Sequence, residues 1–235
     1  MSCTTPTPSP IRSDPPIYRL LAGALATLVG LFSVGLLLAG SPRAATGTRP
    51  SASVERVTVY IPAPPGRRVF LAPLGSFPAD TVQSLVGFYR QKYGLEIRVL
   101  NAMPIDPDAR DVTRDQLVAE ELIESMRFSH PVVTNDTGAV VIGLVTEDVY
   151  TRARTDWDWS FGVRAEGRFA VVSTARMTAN LVARREDRER SRLRKMVTRD
   201  IGVLYYGMPL NADPRSVLYE RLLSVEDLDQ ISEDF

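Results

Sequence analysis

The sequence has one histidine, His130, and one cysteine, Cys3, in 235 residues. A structural zinc site takes about four histidine or cysteine ligands and a catalytic site about three protein ligands. A single chain therefore cannot build a three-histidine or four-cysteine metal site here. The scarcity of cysteine is compatible with an oxidising or a reducing compartment, because a domain of this size can be stable without disulfides.

Several enzyme motifs and an excess of charge are missing as well. The sequence has no glycine-rich phosphate loop, no Gly-x-Ser-x-Gly elbow and no Cys–His pair. Its 28 Lys and Arg residues equal its 28 Asp and Glu residues, which argues against a polyanion-binding protein, so we expect no nucleic-acid partner. An enzyme built on the residues present would need His130 and Asp200 to converge in space.

The first 67 residues are predicted to form a tail, a membrane span and a linker. Residues 1–19 are rich in Pro, Ser and Thr and too poor in apolar residues to fold. Leu20 to Gly40 is an uncharged apolar run, long enough at about 1.5 Å per residue to cross the hydrocarbon core of a bilayer, about 30 Å. Residues 41–67 are interpreted as a linker and residues 68–235 as the folded domain.

The apolar run is interpreted as an uncleaved single-pass anchor, with a long signal peptide as the alternative. It exceeds the apolar core of about 7–15 residues in cleaved signal peptides, and Pro42 and Arg43 follow where a small-x-small cleavage site would stand. Arginines lie on both sides, so the positive-inside bias nearly cancels. The short tail and the large following domain favour an extracytoplasmic C-terminal domain.

Past the linker, the pattern predicts an α/β fold. Val69–Leu74 is typical of a strand, Pro78 opens a helix that Gly94 closes, and Leu95–Leu100 predicts a second strand. This βαβ order implies two parallel strands joined by a right-handed crossover.

A second helix, a further strand and a hairpin are predicted downstream. Thr113 and Gln116 have the spacing of a capping box and predict the start of the helix. The apolar run Ala139–Val145 indicates a central strand. Glu166–Gly167 indicates the turn of a hairpin.

A helix towards the C-terminus is predicted from apolar residues at three- and four-residue steps. Gly207 and Pro209 end it near Tyr206. Asp200 borders the apolar stripe, where a buried carboxylate needs a partner. The stripe consists of Leu193, Met196, Val197, Ile201, Leu204 and Tyr205.

This helix and the strands before it resemble archaemetzincins, a family of small zincin-type metalloproteases. Gly143–Tyr150 is similar to a Gly-, Thr-, Asp- and Tyr-containing stretch of the family, and Phe161–Gly162 and Phe169–Arg176 are similar to two following pieces. Their order and spacing extend the resemblance over residues 68–235. The resemblance implies a zincin-like fold, in which a twisted mixed sheet with flanking helices carries an active-site helix.

The family pattern His-Glu-x-x-His-x-x-Gly-x-x-His places two zinc-binding histidines one helical turn apart, beside a glutamate that activates the metal-bound water. In an ungapped alignment the histidine positions hold Arg199, Val203 and Pro209, and the glutamate position holds Asp200. The family's cysteine positions lack cysteine too. The resemblance therefore implies a degenerate member with no catalytic residues, no metal and no cofactor. We hypothesise that Arg199 stands where the metal was and that its guanidinium offsets Asp200 or another acid.

In zincin folds a strand at the sheet edge above the metal-binding helix holds the substrate as an added β-strand. The hairpin of residues 157–173 is predicted to supply that edge. The alternative interpretation places its large aromatic side chains in the core or over the sheet. The candidates for lining a peptide groove are Trp157, Trp159, Phe161 and Phe169.

The resulting hypothesis is a membrane-anchored, catalytically inactive archaemetzincin-like domain, a monomer or weak dimer, that binds peptides or a protein partner through the former cleft. A zinc-dependent peptidase with unconventional ligands and a purely structural membrane-associated protein are the alternatives. An open cleft beside the edge strand would favour peptide binding. A cleft filled by Arg199, Tyr205 or the C-terminal segment would favour the structural role.

Overall fold

The computed structural model of the protein describes residues 61–178 and 185–235. The predicted tail, the apolar run Leu20 to Gly40 and most of the predicted linker lie outside these residues. Within the two described ranges, no helix is both long and apolar enough to cross a membrane.

Eight strands and five α-helices make up the described chain. The strands are β1 (Arg68–Pro73), β2 (Ile97–Val99), β3 (Arg110–Asp111), β4 (Gln116–Val118), β5 (Ala139–Val145), β6 (Val149–Tyr150), β7 (Gly162–Ala165) and β8 (Phe169–Ser173). The helices are α1 (Ala79–Tyr93), α2 (Ala119–Ser129), α3 (Pro131–Thr134), α4 (Arg185–Asp200) and α5 (Val225–Gln230).

The main sheet has five strands in the order β2-β1-β5-β8-β7. The first four of these strands are parallel, and β7 runs antiparallel to β8 at one edge. A smaller sheet has the order β3-β4-β6. The predicted mixed sheet with flanking helices is confirmed, as are the βαβ start, the central strand β5 and the hairpin turn, where Glu166 and Gly167 both have positive φ.

Helices cover both faces of the main sheet. Successive side chains of a strand point to opposite faces, so the contacts of β5 show which helices lie on each face. Val140, Ile142 and Leu144 of β5 pack in one core with α1 and α4. Val141 and Val145 pack in the other core with α2. The sheet therefore separates α2 from α4, which places anything built on α4 on the face shared with α1.

The predicted capping box at Thr113 and Gln116 is wrong. Gln116 starts the buried strand β4, and its side-chain amide donates to an oxygen of Asp148 at 2.8 Å. Thr113 instead closes a turn, because its N–H and hydroxyl both donate to Asp111. The local spacing of a capping box was overridden by the pairing of β4 with β6.

The helix near the C-terminus ends where the sequence predicts. α4 continues from Asp200 into a π-helical turn, Ile201–Tyr205, which ends at Tyr206 before the left-handed Gly207. Gly202 in that turn permits a close approach, since a Cβ there would lie 2.6 Å from the Phe235 ring. The C-terminal residue is thereby packed against the end of the helix, at a kind of turn often found at functional sites.

Candidate functional site

The four positions that correspond to the zincin motif occupy the end of α4 and the loop after it. Arg199 and Asp200 are 4% and 1% exposed, Val203 is half-buried and Pro209 is exposed. The two charged residues are therefore desolvated, and the partners that satisfy them define the chemistry of this region.

Arg199 binds the C-terminal part of the chain. Its Nη1 donates to the carbonyl oxygens of Val217, at 3.5 Å, and Tyr219. Burial lowers the pKa of Arg199 to about 10, and the nearby charge of Arg164 acts in the same direction. The guanidinium thus holds the segment around residues 217–219 against α4.

Asp200 pairs with the edge strand. Its Oδ1 accepts a hydrogen bond from Arg164 Nη1 at 2.9 Å, and its Oδ2 is buried with no hydrogen-bond partner among the described residues. Burial raises the pKa of Asp200, while Arg164 and then Arg199 oppose the rise. The direct ion-pair partner of Asp200 is therefore Arg164, and Arg199 adds only the smaller effect of its nearby positive charge.

These side chains do not fit a zinc ion. A guanidinium has no lone pair to donate, valine has no donor atom, and Asp200 is a single carboxylate bonded to Arg164. In residues 61–178 and 185–235 there is no group of three or more His, Cys, Asp or Glu side chains placed to hold a metal. His130 caps the C-terminal end of α2, on the other face of the sheet, so it does not converge with Asp200.

A row of buried cations on α4 escaped the sequence analysis. Arg192 is 1% exposed and forms two bonds of 2.7 Å to the Asp229 carboxylate. Lys195 Nζ donates to the carbonyls of Leu228, at 2.9 Å, and Asp229, at 3.0 Å. Burial lowers the pKa of Lys195, and the Arg192 hydrogen bonds lower the pKa of Asp229.

Together with Arg199, these two cations hold the C-terminal segment, defined as residues 211–235, on the face of α4. Here positively charged side chains of α4 donate hydrogen bonds to carbonyl and carboxylate oxygens of the C-terminal segment. The signal in the sequence was the spacing of 192, 195 and 199, which places basic residues on one side of the helix. It was missed because basic residues in a helix usually face solvent.

The edge strand is where the hairpin prediction placed it. β7 forms the edge of the main sheet, and Arg164 connects it to the Asp200 turn of α4. Arg199 connects the same turn to the C-terminal segment. The end of α4 is thus flanked by β7 on one side and the C-terminal segment on the other.

The four aromatic candidates divide into two groups. Phe169 is fully buried and covered by the guanidinium groups of Arg127 and Arg168, so it does not line a groove, and the prediction for it is wrong. Its position on β8, one strand in from the edge, explains the burial. The other three candidates, Trp157, Trp159 and Phe161, line one cavity of about 150 Å³. Ser160, Leu222 and Leu223 also line this cavity.

This cavity, the tryptophan pocket, is lined by residues 157–161 and by Leu222 and Leu223 of the C-terminal segment. Trp159 packs edge-to-face on the buried Phe161, with ring centroids 4.8 Å apart. Leu223 is 61% exposed at the pocket. A cavity of about 150 Å³ is large enough for one aromatic ring, so the pocket can receive one large apolar side chain.

No protein-family model matches the sequence, and no curated protein matches it. Solved structures do. Archaemetzincin from Archaeoglobus fulgidus, complexed with malonate, is 20% identical with a TM-score of 0.55, over 72% of this chain and 94% of that chain. Archaemetzincin from Methanopyrus kandleri is 20% identical with a TM-score of 0.53, over 74% and 92% of the two chains.

A zinc-dependent peptidase from Methanocorpusculum labreanum is also similar, with 17% identity and a TM-score of 0.58 over 71% of this chain and 95% of that chain. The chain therefore has an archaemetzincin-like fold, as the resemblance in its sequence implied. At this level of identity the likeness establishes the fold and leaves the function to be argued from the site.

Proposed function

We propose that this chain is a membrane-anchored, non-catalytic archaemetzincin-like domain that binds an extended segment of a partner protein at β7. Leu20 to Gly40 is the proposed anchor, on the strength of its uncharged apolar length. The arrangement that supports the binding role most directly is the tryptophan pocket beside the edge of the main sheet.

The loss of catalysis is supported by how the end of α4 is bonded. A zincin-type reaction needs metal ligands and a carboxylate free to accept a proton from water. Here the first ligand position, Arg199, donates to carbonyls of the C-terminal segment, and the carboxylate position, Asp200, is bonded to Arg164. Other parts of the fold bind both Arg199 and Asp200, so the end of α4 is proposed to have a structural role instead of a catalytic one.

The edge of β7 supports strand addition. The N–H of Ser173 donates to the carbonyl of Phe161 at 2.9 Å, so the backbone groups of Gly162 and Arg164 point away from β8 in the alternating antiparallel pattern. The hydroxyl of Ser160 bonds both edge-facing groups of Gly162. Arg164 is therefore the position where an incoming strand would pair with β7.

Such a strand would gain affinity from its backbone and specificity from one side chain. Alternate side chains of an added strand face the same way, so one of them can enter the tryptophan pocket while the backbone pairs with β7. The favoured ligand is an extended segment with one large apolar or aromatic residue.

The structural alternative has its own supporting observation, since the C-terminal segment is bonded to Arg199 and packs Phe235 on the end of α4. On that alternative the C-terminal segment fills the cleft permanently and no peptide binds. A peptide-selection experiment distinguishes the two roles.

The full-length protein is used to select peptides from a phage-displayed random library, and the enriched peptides are measured by fluorescence anisotropy. Trp159→Ala is expected to weaken binding by about tenfold or more, because a buried aromatic contact at the centre of an interface contributes about 2 kcal/mol or more. Methylation of the peptide backbone nitrogens is expected to abolish binding. Phe128→Ala removes an exposed aromatic residue outside the pocket and is the matched control. Failure to enrich any peptide, or equal affinity for wild-type and Trp159→Ala proteins, contradicts the binding role.

A further inference from the structure

We propose that Phe128 and Val132, here called the entry-end patch, rest on the surface of the lipid bilayer. Phe128 is the second-last residue of α2 and is 90% exposed. Val132 in α3 is 88% exposed. Both large apolar side chains lie almost fully in water and only four residues apart in the chain, so both are available for contact with an apolar partner. Neither residue belongs to the cleft or the tryptophan pocket.

The patch lies at the end of the main sheet where the chain enters the domain. α3 leads through Asp136 and Gly138 directly into the first residue of β5. At that point the N–H of Arg68, the first residue of β1, donates to the carbonyl of Gly138 at 2.9 Å. The side chain of Arg68 also pairs with Asp136. The start of β1 and the entry-end patch therefore share one end of the sheet.

The position of the apolar run in the sequence identifies the bilayer as the partner. Residues 41–60 separate Gly40 from the first described residue, Ile61. Even when fully extended, twenty residues reach at most about 70 Å. If Leu20 to Gly40 is inserted as proposed above, the entry end of the sheet is the end tethered to the membrane, and the tether raises its local concentration at the lipid surface. This inference rests on the proposed anchor.

The charges around the patch are suited to a bilayer surface. Arg68 pairs with Asp136, and Arg127 pairs with Glu124 and Glu166. Long basic side chains place their charged groups among lipid headgroups while their stems lie on apolar surface. Because each of these arginines has an acidic partner, the contact should not require anionic lipid.

The test uses the full-length protein with Cys3→Ser and Val132→Cys, with a polarity-sensitive fluorophore attached at position 132. It is reconstituted into phosphatidylcholine vesicles that contain nitroxide-labelled lipid. The matched control is Val112→Cys, since Val112 is also an exposed valine, 82% exposed. It lies between β3 and β4, at the other end of α2 from Phe128.

We expect a blue-shifted emission at position 132 and nitroxide quenching at least about twofold stronger than at position 112, since only the entry end contacts lipid. Equal spectra and quenching in protein that floats with the vesicles would overturn the lipid contact and leave the anchor intact. Protein that does not float would overturn the anchor and this inference together. A blue shift at position 132 without quenching would assign the patch to protein contact, which also contradicts the proposal.

Discussion

Arg164→Met is expected to lower the free energy of unfolding by about 3 kcal/mol at pH 7, because removing one partner of a buried ion pair strands the other charge. The stranded group is Asp200, whose side chain is 2% exposed and whose only hydrogen bond described here is the one from Arg164. The measurement is urea unfolding of the full-length protein followed by tryptophan fluorescence.

The loss should depend on pH. Burial already raises the pKa of Asp200 above its ordinary value of 3.8, and Arg164 opposes this rise. Without Arg164 the folded-state pKa rises further, and an acid whose folded pKa is raised loses stability as the pH increases above its unfolded pKa. The destabilisation should therefore be small near pH 4 and reach its full size at neutral pH.

Two variants make this prediction specific. Arg154→Met removes an arginine from an exposed pair with Asp156, whose side chains are 52% and 67% exposed, and should change stability by about 1 kcal/mol or less. Adding Asp200→Asn to Arg164→Met removes the stranded charge and should restore part of the lost stability. If Arg164→Met were as stable as wild type at pH 7, Asp200 would not depend on β7 and the described pairing would be wrong.

Asp229→Asn is expected to lower the free energy of unfolding by about 2–3 kcal/mol, since it removes the carboxylate that binds a buried guanidinium. Arg192 is 1% exposed and its partner Asp229 is 42% exposed, so the buried charge that loses its carboxylate is that of the arginine. This loss of unfolding free energy is small for a broken buried ion pair, because Arg192 keeps its hydrogen bond to the carbonyl of Met177.

The effect of Asp229→Asn should also appear in the C-terminal segment. Hydrogen exchange of α5 should become faster, because the segment is held to α4 through Arg192 and Lys195. Asp156→Asn makes the same chemical change in an exposed pair and should leave both stability and exchange nearly unaltered. A loss below about 0.5 kcal/mol for Asp229→Asn, the range of ordinary surface substitutions, would show that the buried cations do not hold the segment.

The elements with strong local signals were predictable from the sequence. The uninterrupted apolar run of β5 gave its bounds, and the left-handed glycines Gly94 and Gly207 marked the ends of α1 and of the helix that carries Asp200. Each signal is local, since it depends on residues adjacent in the chain. The order of the segments that resemble archaemetzincins then predicted the zincin-like fold, which no single helix or strand could predict.

Contacts between distant residues were not predictable. Arg164 and Asp200 are 36 positions apart and Arg192 and Asp229 are 37 apart, so no periodicity connects them. The capping-box spacing at Gln116 misled for the same reason, because its strand β4 pairs through Leu117 and Val118 with β6, much later in the chain. Basic side chains on a helix usually face solvent, whereas Arg192, Lys195 and Arg199 on α4 are buried against the C-terminal segment.

The central claim is that this archaemetzincin-like fold is held by internal ion pairs and hydrogen bonds at the positions where a zincin binds its metal. The most direct test is the zinc content of the full-length protein, purified without chelator and measured by elemental mass spectrometry, alongside cooperative unfolding of the same sample. We predict far less than one zinc ion per chain in a cooperatively folded protein. Near-stoichiometric zinc, released only when the protein unfolds, would contradict the account and require ligands other than Arg199, Val203 and Pro209.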